Sequence, residues 1–305
     1  MTFNGRGLYV SSSKVPRRQR LGWLALGAVI GLIALVFGLL NMLNGVSFTS
    51  ETREDSYPAS ALLRIDADVV AAVSVSQTGG DRITVQRALV GAQGSGSFES
   101  VEQDDEKLEL NVSCWRFPLF STCEVDYVIG VPEGTDLDIS TDRGRVDVTG
   151  VVGDVTVDTG SGDIALSQVR GSIDLESGAG DISAAGEGAT AKAESDVGDV
   201  DLRSFRAAEV EGESDVGDVL LGTGFEKAEA STGVGEVTVW TDEEFRSLKA
   251  QSDVGDVDVR VPDAPYRVTG ETGLGDRDIR VRPGGRGDAS IRVETGTGSA
   301  VVRAD

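Results

Sequence analysis

Seven acidic residues, Asp163, Asp181, Asp199, Asp218, Glu236, Asp256 and Asp276, recur at intervals of 18, 18, 19, 18, 20 and 20 residues, each directly behind a glycine. If equivalent positions stack in the fold, these carboxylates form a column. Neighbours about 4.8 Å apart then repel by roughly 0.9 kcal/mol per pair in water. Two chemistries could use such a column. Calcium takes about six to eight oxygen ligands and would draw on carboxylates and turn carbonyls. Paired acids can also cleave glycosides. The calcium-roll nonapeptide places one residue between its last glycine and its aspartate, whereas here the acid follows the glycine directly and the period is about twice as long. The residues therefore favour a solvated edge screened by salt, and millimolar calcium binding is the most such an edge would support.

The chain of 305 residues has no histidine. That removes the usual general base, the Ser-His and Cys-His nucleophile pairs, and most zinc sites. An enzyme built from this sequence would have to work with carboxylates, and acids repeated at every turn do not make one singular cleft. The expectation is a protein that is not an enzyme and needs no cofactor.

The acids sit in a repeat. Nine copies of [Ser/Thr]-[Gly/Asp]-x-Gly occur: TDRG at 141–144, TGSG at 159–162, SGAG at 177–180, SDVG at 195–198, SDVG at 214–217, TGVG at 232–235, SDVG at 252–255, TGLG at 272–275 and TGTG at 295–298. A period this regular marks a solenoid. Behind most turns lies a short alternating apolar run, such as Ile164/Leu166, Val200/Leu202, Val237/Val239 and Val257/Val259, which reads as a strand with one buried face. A second run fills the other half of the period, as in Ile173/Leu175, Ala228/Ala230 and Leu248/Ala250. The expected fold is all-β: a solenoid over 136–305 of about nine coils of 18–20 residues, two strands per coil, forming a rod roughly 43 Å long. Glycine closes every turn because Gly, Asp and Asn best tolerate positive φ. Arg277 falls in an inward apolar slot, so the last coils are expected to be shifted or frayed.

Residues 58–135 carry longer strand-like runs and are expected to form an N-terminal β cap, since an uncapped solenoid end invites aggregation. Residues 44–57 read as a polar linker. Leu21 to Leu43 contain no charge and at 1.5 Å per residue reach roughly 34 Å, enough for a transmembrane helix at 21–43. Its Gly27 and Gly31 form a GxxxG face that could pair two copies. Residues 1–50 hold five of the 28 basic residues and none of the 51 acidic ones, so residues 51–305 carry 23 basic against 51 acidic, a net of −28. Because every charge before the span is basic and the chain just after it is polar and uncharged, a tail of residues 1–20 is expected in the cytoplasm and 45–305 outside, on a single-pass membrane protein. So acidic a surface is a poor partner for nucleic acid.

Cys114 and Cys123 are the only cysteines, and outside the membrane an even pair suggests a disulfide. They bracket Trp115, Phe117, Leu119 and Phe120, which read either as a contact patch for a partner or as a cover over the open end of the core. The RGD triplet Arg286-Gly287-Asp288 needs no explanation beyond a composition rich in those residues.

With its nine turns, basic stub, single span and the VDYVIGVPEG stretch at 125–134, the sequence resembles the bacterial "putative adhesin" family of β-strand-repeat domains over residues 58–305. The resemblance implies a right-handed β-solenoid, commonly membrane-attached, and supplies no catalytic residues. Three functions follow for comparison. The first is a surface interaction or adhesion-like module contacting a protein or a wall polymer. The second is an outer sensor of an envelope-response system working through a membrane partner. The third is a carboxylate glycoside hydrolase. The first fits best, because solenoids offer long repetitive faces while short coils leave little room for a cleft.

Overall fold

The computed structural model of the chain describes residues 48–92, 97–104, 106–114 and 124–304. The basic tail, the apolar span with Gly27 and Gly31, and residues 115–123 lie outside the described residues, so the Cys114–Cys123 bridge and the Trp115, Phe117, Leu119 and Phe120 loop are not placed. Among the described residues, no helix is long and apolar enough to cross a membrane.

Strands account for the described fold. The first six are β1 (Phe48–Pro58), β2 (Leu62–Gln77), β3 (Arg82–Ala92), β4 (Ser97–Gln103), β5 (Lys107–Cys114) and β6 (Glu124–Val131). Next come β7 (Asp136–Arg143), β8 (Val146–Thr149), β9 (Val155–Thr159), β10 (Ile164–Arg170), β11 (Ile173–Ser177), β12 (Ile182–Val197), β13 (Val200–Val216) and β14 (Val219–Leu221). The last are β15 (Lys227–Val234), β16 (Val237–Trp240), β17 (Ser247–Val254), β18 (Val257–Val261), β19 (Pro265–Leu274), β20 (Arg277–Arg280), β21 (Arg282–Pro283), β22 (Ser290–Thr297) and β23 (Ala300–Ala304). Alternate residues point inward. Val146, Ile164, Ile182, Val200, Val219, Val237, Val257 and Ala300 form one buried column, each at most 1% exposed. Over the middle levels the facing column is small, with Ala193, Gly212, Ala230 and Ala250 between Leu175 and Val293; a side chain added at Gly212 would meet Val219 and Leu221. Large residues on one wall against small ones on the other fit a core two strands thick.

The strands stack in two parallel ladders. One runs β5–β2–β7–β9–β11–β12–β13–β15–β17–β22–β19. The other runs β6–β2–β8–β10–β12–β13–β14–β16–β18–β23–β20. Among the described residues the rod therefore has eleven levels, the nine turn-bearing coils and two more.

This corrects the expected division at residue 135. β2 and the β5–β6 pair are coils of the rod itself, and the cap is the antiparallel β4 on β5 and β3 on β6. The expected linker is also shorter than 44–57, because Phe48–Pro58 is strand β1 and pairs with β3. Its Asp55 binds Arg87 of β3, only 3% exposed, which also binds Glu99 of β4 at 2.5 Å. The Tyr127 hydroxyl donates to the same Glu99 at 3.2 Å. A buried arginine thus gathers three cap strands, and an ion pair so placed is costly to break from one side.

Stack order departs from chain order at both ends. β2 comes first in the chain but lies between the β5–β6 coil and the β7–β8 coil. The last coil, β22–β23, lies between β17–β18 and β19–β20. The reason at the far end is apolar content. Coil β22–β23 turns inward Ile291, Val293, Ala300 and Val302, all fully buried. Coil β19–β20 offers Gly270 and Arg277 in the equivalent slots, and Arg277 stays exposed while donating to the Gly270 carbonyl at 2.7 Å. An arginine cannot be sealed between two apolar levels, so its coil takes the end.

The order can be trapped chemically. Lys249 and Arg292 are paired neighbours, whereas Lys249 and Thr269 lie two levels apart, about 9.6 Å, beyond the roughly 7 Å a disulfide spans. Lys249→Cys with Arg292→Cys should oxidise to a bridged product, detected as a gel-mobility shift against the parent chain. Lys249→Cys with Thr269→Cys should stay reduced. Bridging of the second pair alone would restore chain order.

Candidate functional site

The acids singled out in the sequence recur at the repeated turn, and each slot of that turn has its own job. In six of the nine turns the Ser or Thr of the first slot is buried and its hydroxyl donates to the closing-glycine carbonyl of the adjacent level, whereas Thr141 donates to the Thr159 hydroxyl at 3.1 Å. Ser177 binds Gly162 at 3.1 Å, Ser195 binds Gly180 at 3.0 Å, Ser214 binds Gly198 at 2.8 Å, Thr232 binds Gly217 at 2.8 Å and Ser252 binds Gly235 at 2.9 Å. Thr295 binds Gly255 at 2.9 Å, skipping the coil that precedes it in sequence, as the stack order requires. A hydroxyl is the smallest group that fills a buried corner and reaches that carbonyl.

Two constraints set the closing glycine: eight of the nine, all but Gly162, have a φ of 130–157°, and all nine are held in close approach to the next level. A Cβ at Gly144, Gly162, Gly180, Gly198, Gly217, Gly235, Gly255, Gly275 or Gly298 would lie 1.8–2.2 Å from a backbone oxygen of the next level. Gly162 makes the point, since it lies outside the left-handed region and still has the Gly144 oxygen 1.9 Å from its would-be Cβ.

The acid behind the glycine is a hydrogen-bond acceptor between levels. Asp163 Oδ1 accepts the Asp181 N–H at 3.2 Å, Asp181 that of Asp199 at 2.9 Å, Asp199 that of Asp218 at 2.8 Å, and Asp218 that of Glu236 at 2.7 Å. Glu236, one carbon longer, instead accepts from the Thr238 hydroxyl at 3.1 Å. Asp256 accepts from Ser299 at 2.7 Å. Ser299 therefore separates Asp256 from Asp276, so the expected column of seven is six neighbours and one outlier on the end level. Asp163, at the other end, lies 3.7 Å from the Arg145 guanidinium. The amide bonds answer why acids persist at a repelling spacing, because a charge-assisted acceptor is roughly twice as strong as a neutral one. Among the described residues, no three His, Cys, Asp or Glu side chains converge on a point that could hold a metal ion. A second ladder of the same kind, Asp136 to Asp154 and Asp154 to Ser172, both at 2.8 Å, runs along the opposite corner. The GDV at 153–155, repeating the turn motif half a period out, was its sequence trace.

Two features had no reading in the sequence. At the opposite corner, Phe245 stacks on Tyr266 and meets Phe225 at a tilt, both with centroids 5.5 Å apart, and their spacing of 20 and 21 residues was the available signal. At the turn, the third slot carries exposed apolar side chains: Val197, Val216, Val234, Val254 and Leu274. The RGD aspartate, Asp288, folds back to accept the Gly285 N–H at 2.6 Å, closing its own loop.

The acceptor role predicts how substitutions rank. Asp199→Ala should lower stability by about 1–2 kcal/mol and speed hydrogen exchange at the Asp218 amide, while Asp199→Asn, which keeps an acceptor oxygen, should cost less than half as much. Equal losses in chemical denaturation would assign the aspartate to charge alone.

No curated protein matches the chain in sequence. Among solved structures, a "putative lipid binding protein" from Parabacteroides distasonis superposes with a TM-score of 0.50 at 11% identity, covering 84% of this chain and 97% of that one. A "putative adhesin" from Bacteroides fragilis covers 85% of this chain and 99% of its own, with 15% identity and a TM-score of 0.46. At such identities the likeness concerns the fold. The sequence match is direct: residues 62–305, from the first strand of the rod to its last, match the Toastrack DUF4097 family, and the chain belongs to it.

Proposed function

We propose that this protein is a non-catalytic surface interaction module: a right-handed β-solenoid rod held outside the cell membrane by a single span at 21–43, with residues 1–20 in the cytoplasm. The observation that carries the reading is the regular recurrence of outward-facing residues over eleven parallel levels, which gives a long repetitive face. The handedness rests on the crossover rule. Each pair of parallel neighbours such as β9 and β11 is joined through a strand on the other wall, and such connections are right-handed in about 98% of cases. Five of the seven turn carboxylates accept from backbone amides of the next level, which argues against their use as a general acid and base.

Two measurements on cells test it. Protease added to intact protoplasts should remove the acidic rod and leave a short membrane-bound remnant; complete protection contradicts the topology. Cells whose chain lacks 58–305 should lose surface attachment relative to cells with the whole chain. Unchanged attachment, together with capture of a membrane partner through residues 1–44, would favour the sensor instead.

A further inference from the structure

The third slot of the turn is an internal control. It reads Arg143, Ser161 and Ala179 on the first three turn-bearing coils, then Val197, Val216, Val234 and Val254 on the next four. The same backbone corner carries arginine, serine and alanine, so the turn does not require valine. Nor does the core, because these four side chains point away from it and are 55%, 49%, 51% and 50% exposed. They are register partners on successive levels, so together they form an apolar ridge spanning about 14 Å along the rod. Acids flank the ridge on both sides. Asp196, Asp215 and Asp253 precede the valines, Asp199, Asp218, Glu236 and Asp256 follow the closing glycines, and all seven are exposed. None of the seven pairs with an arginine or lysine among the described residues.

We propose that this ridge docks a cationic amphipathic helix of a partner protein, lying along the rod axis. Charge selects the sign of the partner: two acidic rails around an apolar line repel anionic lipid, nucleic acid and a second copy of so acidic a chain, and attract lysine or arginine. Repeat length selects its shape. A helix advances about 5.4 Å per turn against about 4.8 Å per level, so over three intervals it drifts by only about 2 Å. Same-face residues of an extended strand are about 6.7 Å apart and lose register by about 6 Å over the same stretch. A helix with leucines at i, i+3 or i+4, i+7 and i+11 sets one apolar side chain per valine, and lysines on either flank fall beside the rails. This partner assignment rests on the rod being an interaction module.

The probe is a fluorescent 16-residue helix with that leucine pattern and flanking lysines, paired with a scrambled peptide of the same composition. Binding is followed by anisotropy on the full-length chain, with variants prepared alike. The patterned peptide should bind at least tenfold more tightly than the scrambled one. Replacing all four valines (V197S, V216S, V234S and V254S) should weaken it tenfold or more at unchanged melting temperature, following the serine already present at position 161. A second variant, D196N with D215N and D253N, keeps the valines and should weaken binding several-fold while flattening its salt dependence. Equal binding by the scrambled peptide, equal binding by the serine variant, or no binding to the parent chain overturns the proposal. So does a change in the chain's own oligomeric state on serine substitution without loss of probe affinity, which would make the ridge a self-contact. If the probe fails while deletion of 58–305 still abolishes attachment, the module stands and only this partner falls.

Discussion

The rod depends on how closely its turns can be stacked. At the closing glycine of each coil, the backbone of one level passes so near the carbonyl of the next that no side chain fits between them. Because the levels meet at that distance, a serine or threonine hydroxyl can reach a carbonyl across the gap and an aspartate can reach an amide. The inter-level bonds are short, repeated and local. They hold a thin core in stack, even over its middle levels, where one wall is only alanine and glycine. A one-residue slip at any level would place a Cβ against a carbonyl and an acid inside the wall.

The ends of a solenoid are its weak points, since each exposes strand edges. Here the first and last coils of the chain are not the first and last of the stack. β2 and β22–β23 are each bonded on both sides, so neither chain end of the rod can peel away as an edge strand. The levels left outermost are built for exposure. One is covered by antiparallel β3 and β4 and gathered by buried Arg87. The other is the polar coil of Arg277, whose guanidinium closes over its own strand.

Much of this was legible in the sequence and some was not, for physical reasons. The glycine period gave the coils, their length and their strands, because backbone stacking admits no other residue and therefore leaves a mark at every repeat. The same logic made the acids conspicuous, yet their partner was invisible. An amide acceptor and a metal ligand look alike in one dimension, and only the neighbouring N–H tells them apart. The swapped coil order was half legible: Arg277 in an inward slot signalled a fault in the last coils, but local residues do not say which level a coil joins. The valine ridge escaped notice because valine in a strand-rich repeat is expected, and only exposure reveals that these four serve no core.

The central claim is that close approach at the turn fixes the stack over and above the positive φ that eight of the nine closing glycines adopt. Two glycines separate the effects. Gly162 has no left-handed φ but has the Gly144 oxygen 1.9 Å from its would-be Cβ, while Gly150 has a φ of +70° with nothing within 4 Å. Measured by chemical denaturation of the same chain, Gly150→Ala should cost about 1 kcal/mol, the ordinary penalty of a left-handed alanine. Gly162→Ala should cost about 3 kcal/mol or more and open the flanking levels to hydrogen exchange. If instead Gly162→Ala proves the milder of the two, the stack is not governed by that contact.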